Sequence, residues 1–444
     1  MTMRQQDLIV DSLGECRFRS PLHLDAPAVG QSSHFIDEST RIRFDVEVGP
    51  GHEQTGELSL EESGPREALF FEPAETTAAI VTCGGLSPGL NNVIRSVCAE
   101  LSVNYRVKRV LGIRNGYLGL NSASGLEPVN LDRDFVGDID QIGGTVLGSS
   151  RGAQEPEVMA DFLASAGVDI LFCLGGDGTQ RGAFALHEET KRRGLPVAIV
   201  GIPKTIDNDI AFVDPSFGFA TALERAAEVI RSAHVEARGT VNGIGLVKLM
   251  GRDAGFIAAG AAVISQEVNF VLVPEIRFPL EGVTGLFAAL EKRMRGSGHA
   301  VIAVAEGAGQ YLFEGADERR DASGNVLYQD IGLFLRDRIR AYFAERGLPL
   351  DLKYIDPSYY IRSVPANTYD RFLSDQMGRH AAHAAMAGKT GMVVGRQHDQ
   401  FINVPIPVVV GQKKTMEVTS DLWRAVLQVT RQPRWGRPGA QNNE

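Results

Sequence analysis

Asp169-Ile170-Leu171-Phe172-Cys173-Leu174-Gly175-Gly176-Asp177-Gly178-Thr179 is an apolar run that stops at two glycines and passes into a polar, helix-like segment. A strand with one wet face would alternate apolar and polar residues. A run that is apolar at every position belongs to a strand covered on both faces, as in a parallel sheet between layers of helices. The same layout recurs from residue 78 onward, in AAIVTC (78–83), VKRVLGI (107–113), VAIVGI (197–202), NGIGLVKL (242–249), FVLVP (270–274) and AVIAVAEG (300–307). The chain of 444 residues is long enough for two such domains. The sequence therefore predicts an α/β protein: two Rossmann-like domains with mainly parallel sheets, plus an N-terminal extension. Ligands of such folds bind beyond the carboxyl ends of strands, where the motifs below lie.

Residues 1–77 lack this rhythm. Alternation over Ile42–Val48 suggests an edge or capping strand, and the whole part reads as an extension packed on the core or on a neighbouring subunit. Polar residues 314–325 read as a surface loop ahead of a helix around 331–346. Cys16, Cys83, Cys98 and Cys173 have no zinc-ligand spacing; Cys83 and Cys173 lie inside apolar runs, as small buried thiols of a reducing compartment do. His380 and His383 lie at helical i, i+3 spacing, which could suit a metal, but nothing acidic joins them.

A formal charge of −10 argues against a nucleic-acid partner, and Lys191-Arg192-Arg193 reads as a solvated helix end. No run of about eighteen apolar residues is present, and the first residues are not laid out as a signal peptide. The expected setting is cytoplasmic, with no membrane partner.

Four strand-end motifs point to phosphate chemistry. Gly84-Gly85-Leu86-Ser87-Pro88-Gly89-Leu90-Asn91 offers backbone N–H groups and a helix start to an anion. In Gly175-Gly176-Asp177-Gly178-Thr179 the glycines leave room for a triphosphate, and Asp177 offers a carboxylate to Mg²⁺; the bland alternative is an Asp capping the next helix. Pro203-Lys204-Thr205-Ile206-Asp207-Asn208-Asp209 puts two carboxylates two residues apart, one able to take a hydroxyl proton and the other to lie near a metal. Lys204 and Thr205 add a cation and a hydroxyl for phosphoryl oxygens. In Met250-Gly251-Arg252, before a helix starting near Asp253, the arginine can stabilise charge on a transferring phosphoryl group.

GGLSPGLN, GTVLGSSRG, GGDGTQRGA, PKTIDND and LMGRDAGF, in this order over residues 78–410, resemble the phosphofructokinase family, and in particular its long ATP-dependent branch typified by the trypanosomatid enzymes. Cys16–Leu22 is similar to the start of that branch. The resemblance implies transfer of the γ-phosphoryl of ATP to the 1-hydroxyl of fructose 6-phosphate with Mg²⁺, in an allosteric homo-oligomer, tetramer or dimer. Asp207 would be the general base. Thr205, Arg252 and the N–H of Gly85 would stabilise the transferring group, and Asp177, with Asp209, would hold Mg²⁺. ATP would meet Gly85, Arg151, Gly152, Gly176, Asp177, Gly178 and Thr179. The sugar would lie on Thr205, Ile206, Asp207, Met250, Gly251, Arg252 and Glu306, and its 6-phosphate on the stretch Tyr359, Tyr360, Ile361 and Arg362. The implied division is an ATP-binding domain from 78–220 with 363–412, and a sugar-phosphate domain from 221–362 with 413–444.

Against the short bacterial pattern, Leu86 stands for Asp, Lys204 for Gly, and Gly243 and Lys353 for phosphate-binding arginines. The nearest competing function is a pyrophosphate-dependent enzyme. Gly178 bears on that choice, because an Asp there would block a nucleotide; Lys204 is shared with the pyrophosphate group. A kinase of another substrate would not carry PKTIDND with MGR, and a non-catalytic paralogue would lose Asp207 or Asp177.

Overall fold

The computed structural model describes residues 3–26, 33–47, 49, 57–313 and 326–436. In chain order its main strands begin with β1 (Arg41–Arg43), β2 (Ser59–Glu62), β3 (Thr77–Thr82), β4 (Arg109–Ile113), β5 (Val129–Asn130), β6 (Ile170–Gly175) and β7 (Ala198–Pro203). They continue with β8 (Gly243–Leu249), β9 (Phe270–Leu272), β10 (His299–Ala305), β11 (Asp351–Ile355), β12 (Met392–Gln397) and β13 (Gln400–Pro405). The longer helices are α1 (Leu90–Ala99), α2 (Pro156–Ala166), α3 (Asp177–Arg193), α4 (Phe219–Arg238), α5 (Phe256–Ser265), α6 (Leu286–Ser297), α7 (Ile331–Glu345), the short α8 (Ser358–Arg362), α9 (Thr368–Met386) and α10 (Asp421–Thr430).

The chain forms two compact units. The first takes Met1–Thr205, Ile210–Gly218 and Val364–Lys413. Its nine-stranded sheet runs β1-β2-β13-β12-β7-β6-β3-β4-β5. The strands β12, β7, β6, β3 and β4 are parallel, and the antiparallel strands lie outside them. Each residue of β3, β6 and β7 is buried, because one face carries a core with α1 and α9 and the other a core with α2 and α3. Register then places the motifs. Pro203 pairs with Gly175 and Thr82 with Leu174, so the glycine-rich loops after β3 and β6 and the Lys204-Thr205 segment after β7 leave the sheet at one edge.

The second unit takes Ile206–Asp209, Phe219–Ser363 and Lys414–Glu444. Its four strands, in the order β9-β10-β8-β11, are all parallel. One core holds residues of α4, α5 and α10, and the other holds residues of α6 and α7. Leu249 pairs with Ala305, so Met250-Gly251-Arg252 and Glu306 leave the sheet side by side.

All seven apolar runs are strands. The described N-terminal residues join the first unit: β2 hydrogen-bonds to β13, Asp11–Ser12 pairs with Lys389–Thr390, and Leu8, Leu58 and Leu60 enter its core. The alternating stretch from Ile42 gives only the short edge strand β1, and Val48 lies outside the described residues. The loop expected over 314–325 lies outside them as well. The unit boundaries differ from the expected ones chiefly at Ile206–Asp209, whose Ile206 packs in the second unit's core. The helix after Met250-Gly251-Arg252 starts at Phe256, three residues later than expected near Asp253.

Lys191, Arg192 and Arg193 form the last turn of α3, where cations suit the helix dipole, and pair with Asp11, Glu189 and Asp161. His380 stacks on Phe401 with ring centres 4.2 Å apart, and His383 Nδ1 meets the Tyr105 hydroxyl at 2.9 Å. Burial pushes their pKa values down, to about 4 and about 3. Cys83 and Cys173 are buried free thiols whose pKa burial drives up.

Candidate active site

In the first unit, three loops gather at the carboxyl edge of β3, β6 and β7. The loop after β3 is tied to the Ser149-Ser150 turn: Gly84 N–H donates to the Ser150 carbonyl at 3.3 Å, and the Ser149 hydroxyl donates to the Gly84 carbonyl at 2.7 Å. Gly85 is half-buried in the same bend, and Arg151 extends from the second loop with an exposed side chain beside Gly152. The third loop joins β6 to α3. Lys204 N–H donates to the Gly175 carbonyl at 3.0 Å, so the end of β7 runs beside that turn. Lys204 is buried, and its Nζ lies 3.7 Å from where a Cβ on Gly84 would stand. The ammonium therefore sits among the glycine loops. Thr205 follows, its carbonyl accepting the Ser216 hydroxyl at 2.7 Å.

Asp177 opens α3, but the capping position is held by Gly176, and no side chain caps this helix. Capping therefore does not account for Asp177, which pairs with Arg181 one turn on and stays 43% exposed. Gly178 is exposed, and a Cβ there would meet nothing within 4 Å. Thr179 is buried; its N–H donates to the Gly176 carbonyl, and its carbonyl accepts the Tyr117 hydroxyl at 2.7 Å.

In the second unit the central group is Asp207, 8% exposed. The backbone N–H of Arg252 donates to its Oδ2 at 3.3 Å. Asn208 adopts a left-handed φ of 57°, which Asn tolerates better than most residues and which turns the chain between Asp207 and Asp209. Burial pushes the Asp207 pKa well up, and the charges of Asp209, Glu306 and Asp253 add to the effect, while the Arg252 N–H opposes it. Glu306 is raised by burial too, against the charges of Lys248, Arg252 and Arg362.

Gly251 has a φ of 127°, a conformation that side chains avoid, and it accepts the Gly307 N–H at 3.0 Å. This brings the Met250–Arg252 turn against the start of the loop after β10. The Arg252 guanidinium lies over the Tyr328 ring, 4.4 Å from its centre, and donates to the Val326 carbonyl. Arg362 lies over Tyr359, at 4.8 Å, on α8, where Tyr359 and Tyr360 are exposed. Ile206 and Ile361 point into the core, and Met250 packs against it. What the two isoleucines can offer a ligand is backbone. Sequence reasoning missed Tyr328, Asp253 and Lys248; the last had a signal, being the one charged residue inside the run NGIGLVKL.

Among the described residues no three His, Cys, Asp or Glu side chains gather to hold a metal. Mg²⁺ that travels on a nucleotide needs no such cage, since it keeps waters and phosphate oxygens and takes one or two carboxylates. The half-exposed carboxylate of Asp177, at a helix start beside glycine loops and with Arg181 as its partner, fits that need.

The phosphofructokinase family profile matches residues 77–385. The chain is 46% identical to the ATP-dependent 6-phosphofructokinase of Borreliella burgdorferi, over 96% of this chain and 97% of that one. The chain belongs to the phosphofructokinase family. Other members similar to it are the ATP-dependent 6-phosphofructokinases of Amycolatopsis methanolica, at 46% identity over 98% of this chain and 96% of that one, and of Trypanosoma brucei brucei, at 42% over 97% and 88%.

Solved phosphofructokinases share the fold at low identity. The pyrophosphate-dependent enzyme of Marinobacter aquaeolei matches at a TM-score of 0.63 and 21% identity, over 83% of this chain and 94% of that one. The Pichia pastoris enzyme in its T-state matches at 0.62 and 23%, over 81% of this chain and 38% of that longer one.

Proposed function

We propose that the chain is an ATP-dependent 6-phosphofructokinase of glycolysis, converting fructose 6-phosphate and ATP to fructose 1,6-bisphosphate and ADP. The observation that carries this reading is the buried Asp207, whose carboxylate accepts the Arg252 N–H and has its pKa raised by burial and by acidic neighbours. A carboxylate of raised basicity beside an arginine suits removal of a proton from an alcohol attacking a phosphoryl group.

In the proposed mechanism the sugar 1-hydroxyl lies against Asp207, which takes its proton as the oxygen attacks the γ-phosphorus. Thr205, Arg252 and the Gly85 N–H receive the charge on the transferring oxygens. Gly176, Asp177, Gly178 and Thr179 carry the nucleotide phosphates, with Arg151 and Gly152 beside them. Met250, Gly251 and Glu306 hold the sugar, and Tyr359 and Arg362 its 6-phosphate. Bound Mg²⁺, held by Asp177 with Asp209, would neutralise phosphate charge.

We place the enzyme in the cytoplasm as a homo-oligomer, dimer or tetramer, which sedimentation would check. A coupled assay with fructose 6-phosphate and either ATP or pyrophosphate tests the reaction. Turnover with ATP and none of use with pyrophosphate is expected, and a preference for pyrophosphate would overturn the donor.

A further inference from the structure

One buried charge in the second unit has no part in the roles above. Lys248 lies in β8, between two strands of a parallel sheet, and its chain neighbours Val247 and Leu249 are wholly buried. A lysine in such a place is costly unless its ammonium finds partners. Its side chain is 12% exposed, and Nζ lies 2.9 Å from Asp330 and 2.8 Å from Asp356. The register explains the second pairing. Val247 stands opposite Ile355 across β8 and β11, so Lys248 comes level with Asp356 just beyond the strand.

Each carboxylate uses its other oxygen elsewhere. Asp330 Oδ1 accepts the Leu333 N–H at 2.9 Å, capping α7. Asp356 Oδ1 accepts both the backbone N–H of Ser358, at 3.1 Å, and its hydroxyl, at 2.5 Å. Ser358 is the first residue of α8, which carries Tyr359 and Arg362 and buries only Ile361. A five-residue helix does not hold itself, so its aim depends on Ile361 and on the Asp356 carboxylate. Glu306 belongs to the same group: its N–H donates at 2.9 Å to the carbonyl of Leu249, the residue after Lys248. The charged groups acting on Glu306 are Lys248, Arg252, Arg362 and Asp356, and Glu306 in turn acts on Asp207.

We propose that Lys248 is a positioning residue for the sugar phosphate: through Asp356 it fixes α8, and so Arg362 and Tyr359, and it holds Glu306 beside them. This deepens the reading of that site as the fructose 6-phosphate site and rests on it. Lys248 would act on one substrate and leave the other alone.

The test is steady-state kinetics of the full chain with both substrates varied, for Lys248→Met, Asp356→Asn, their double variant and Lys248→Arg. Lys248→Met should raise KM for fructose 6-phosphate about ten- to a hundredfold and change KM for ATP by less than about threefold. Asp356→Asn should act in the same direction. The double variant should be little worse than Lys248→Met, because partners in one network are not additive. The acid limb of kcat/KM for fructose 6-phosphate should move to higher pH in Lys248→Met, where Glu306 has lost a neighbouring cation, and return towards wild type in Lys248→Arg. A purely structural role would not move that limb.

A sugar-phosphate KM within about threefold of wild type in Lys248→Met overturns the proposal, as does an equal rise for both substrates. If Lys248→Met does not fold, the same two outcomes are read from Asp356→Asn, since it leaves Lys248 paired with Asp330. A wild type with no turnover of fructose 6-phosphate would take down the functional reading and this proposal together; an active wild type with unmoved variants would sink the proposal alone.

Discussion

Replacing Asp207 by Asn should separate activity from stability in opposite directions. The amide keeps the size of the carboxylate and an oxygen to accept the Arg252 N–H, which now stands 3.3 Å from Oδ2. What it loses is the ability to take a proton. General base catalysis is worth about 10²–10⁴ in rate, so kcat should fall by that factor, or about 2.7–5.4 kcal/mol of barrier. Substrate KM values should stay within several-fold.

Stability should behave otherwise. Burial and the charges of Asp209, Glu306 and Asp253 raise the folded-state pKa of Asp207 above its unfolded value. As pH rises from about 4, the unfolded chain releases this proton while the folded chain keeps it, so the wild type loses stability until the folded pKa is passed. The Asp207→Asn variant has no proton to release there and carries no such loss. Weakening one hydrogen bond to a neutral acceptor costs about 0.5–1.5 kcal/mol at any pH. The variant should then be the less stable form near pH 4 and equal or better near pH 8. Urea unfolding at both pH values, beside a coupled kcat assay at saturating substrates, reads the two effects. A kcat within tenfold of wild type would refute the base, and a pH-independent stability difference would refute the electrostatics assigned to this carboxyl.

Asp177→Ala should nearly abolish turnover and weaken its Mg²⁺ titration, while costing only about 0.3–1 kcal/mol in urea unfolding, because Asp177 faces the helix dipole but does not cap. Arg362→Ala should raise KM for fructose 6-phosphate much more than KM for ATP; equal rises would place Arg362 outside the sugar site. Gly178→Asp should lose ATP-dependent turnover through clash and repulsion, and kcat/KM for ATP and pyrophosphate would show whether the donor assignment stands. Gly178→Ala should raise stability by up to about 1 kcal/mol, since its Cβ meets nothing within 4 Å, and yet weaken ATP use.

The parts of the fold legible in the sequence were those whose physics is local. β3, β6 and β7 are covered on both faces, so each is an unbroken apolar run that needs no partner to be recognised. The hairpin of β12 and β13 was missed because Arg396 and Gln397 end its apolar run, and its turn sets His398 and Asp399 at φ of 50° and 62° without glycine or asparagine. The place of β2 depends on its pairing with β13, more than three hundred residues on, and no periodicity within residues 57–62 could report that. In the site, the acid pair and the glycine loops stood out by residue type and spacing. Lys248 was marked only as a charge inside an apolar run, because its partners lie far along the chain: Asp356 reaches it through the register of β8 and β11, and Asp330 from the cap of α7.

The glycines divide in a way that supports the same conclusion about where a ligand must lie. At Gly175 a Cβ would run into Thr179, and at Gly307 into the Arg252 carbonyl, so the fold itself requires those two. At Gly251 the backbone requires it, with φ at 127°. Gly178 meets neither condition. It sits in the first turn of α3, where glycine is a poor helix former, with no left-handed φ and no neighbour within 4 Å of a Cβ. Gly296 in α6 is equally unconstrained, so the freedom at Gly178 tells only together with its place, in the first turn of the helix that follows β6. Beside the half-exposed carboxylate of Asp177, that place suits the proposed nucleotide, whose phosphate chain would lie against the backbone of the turn.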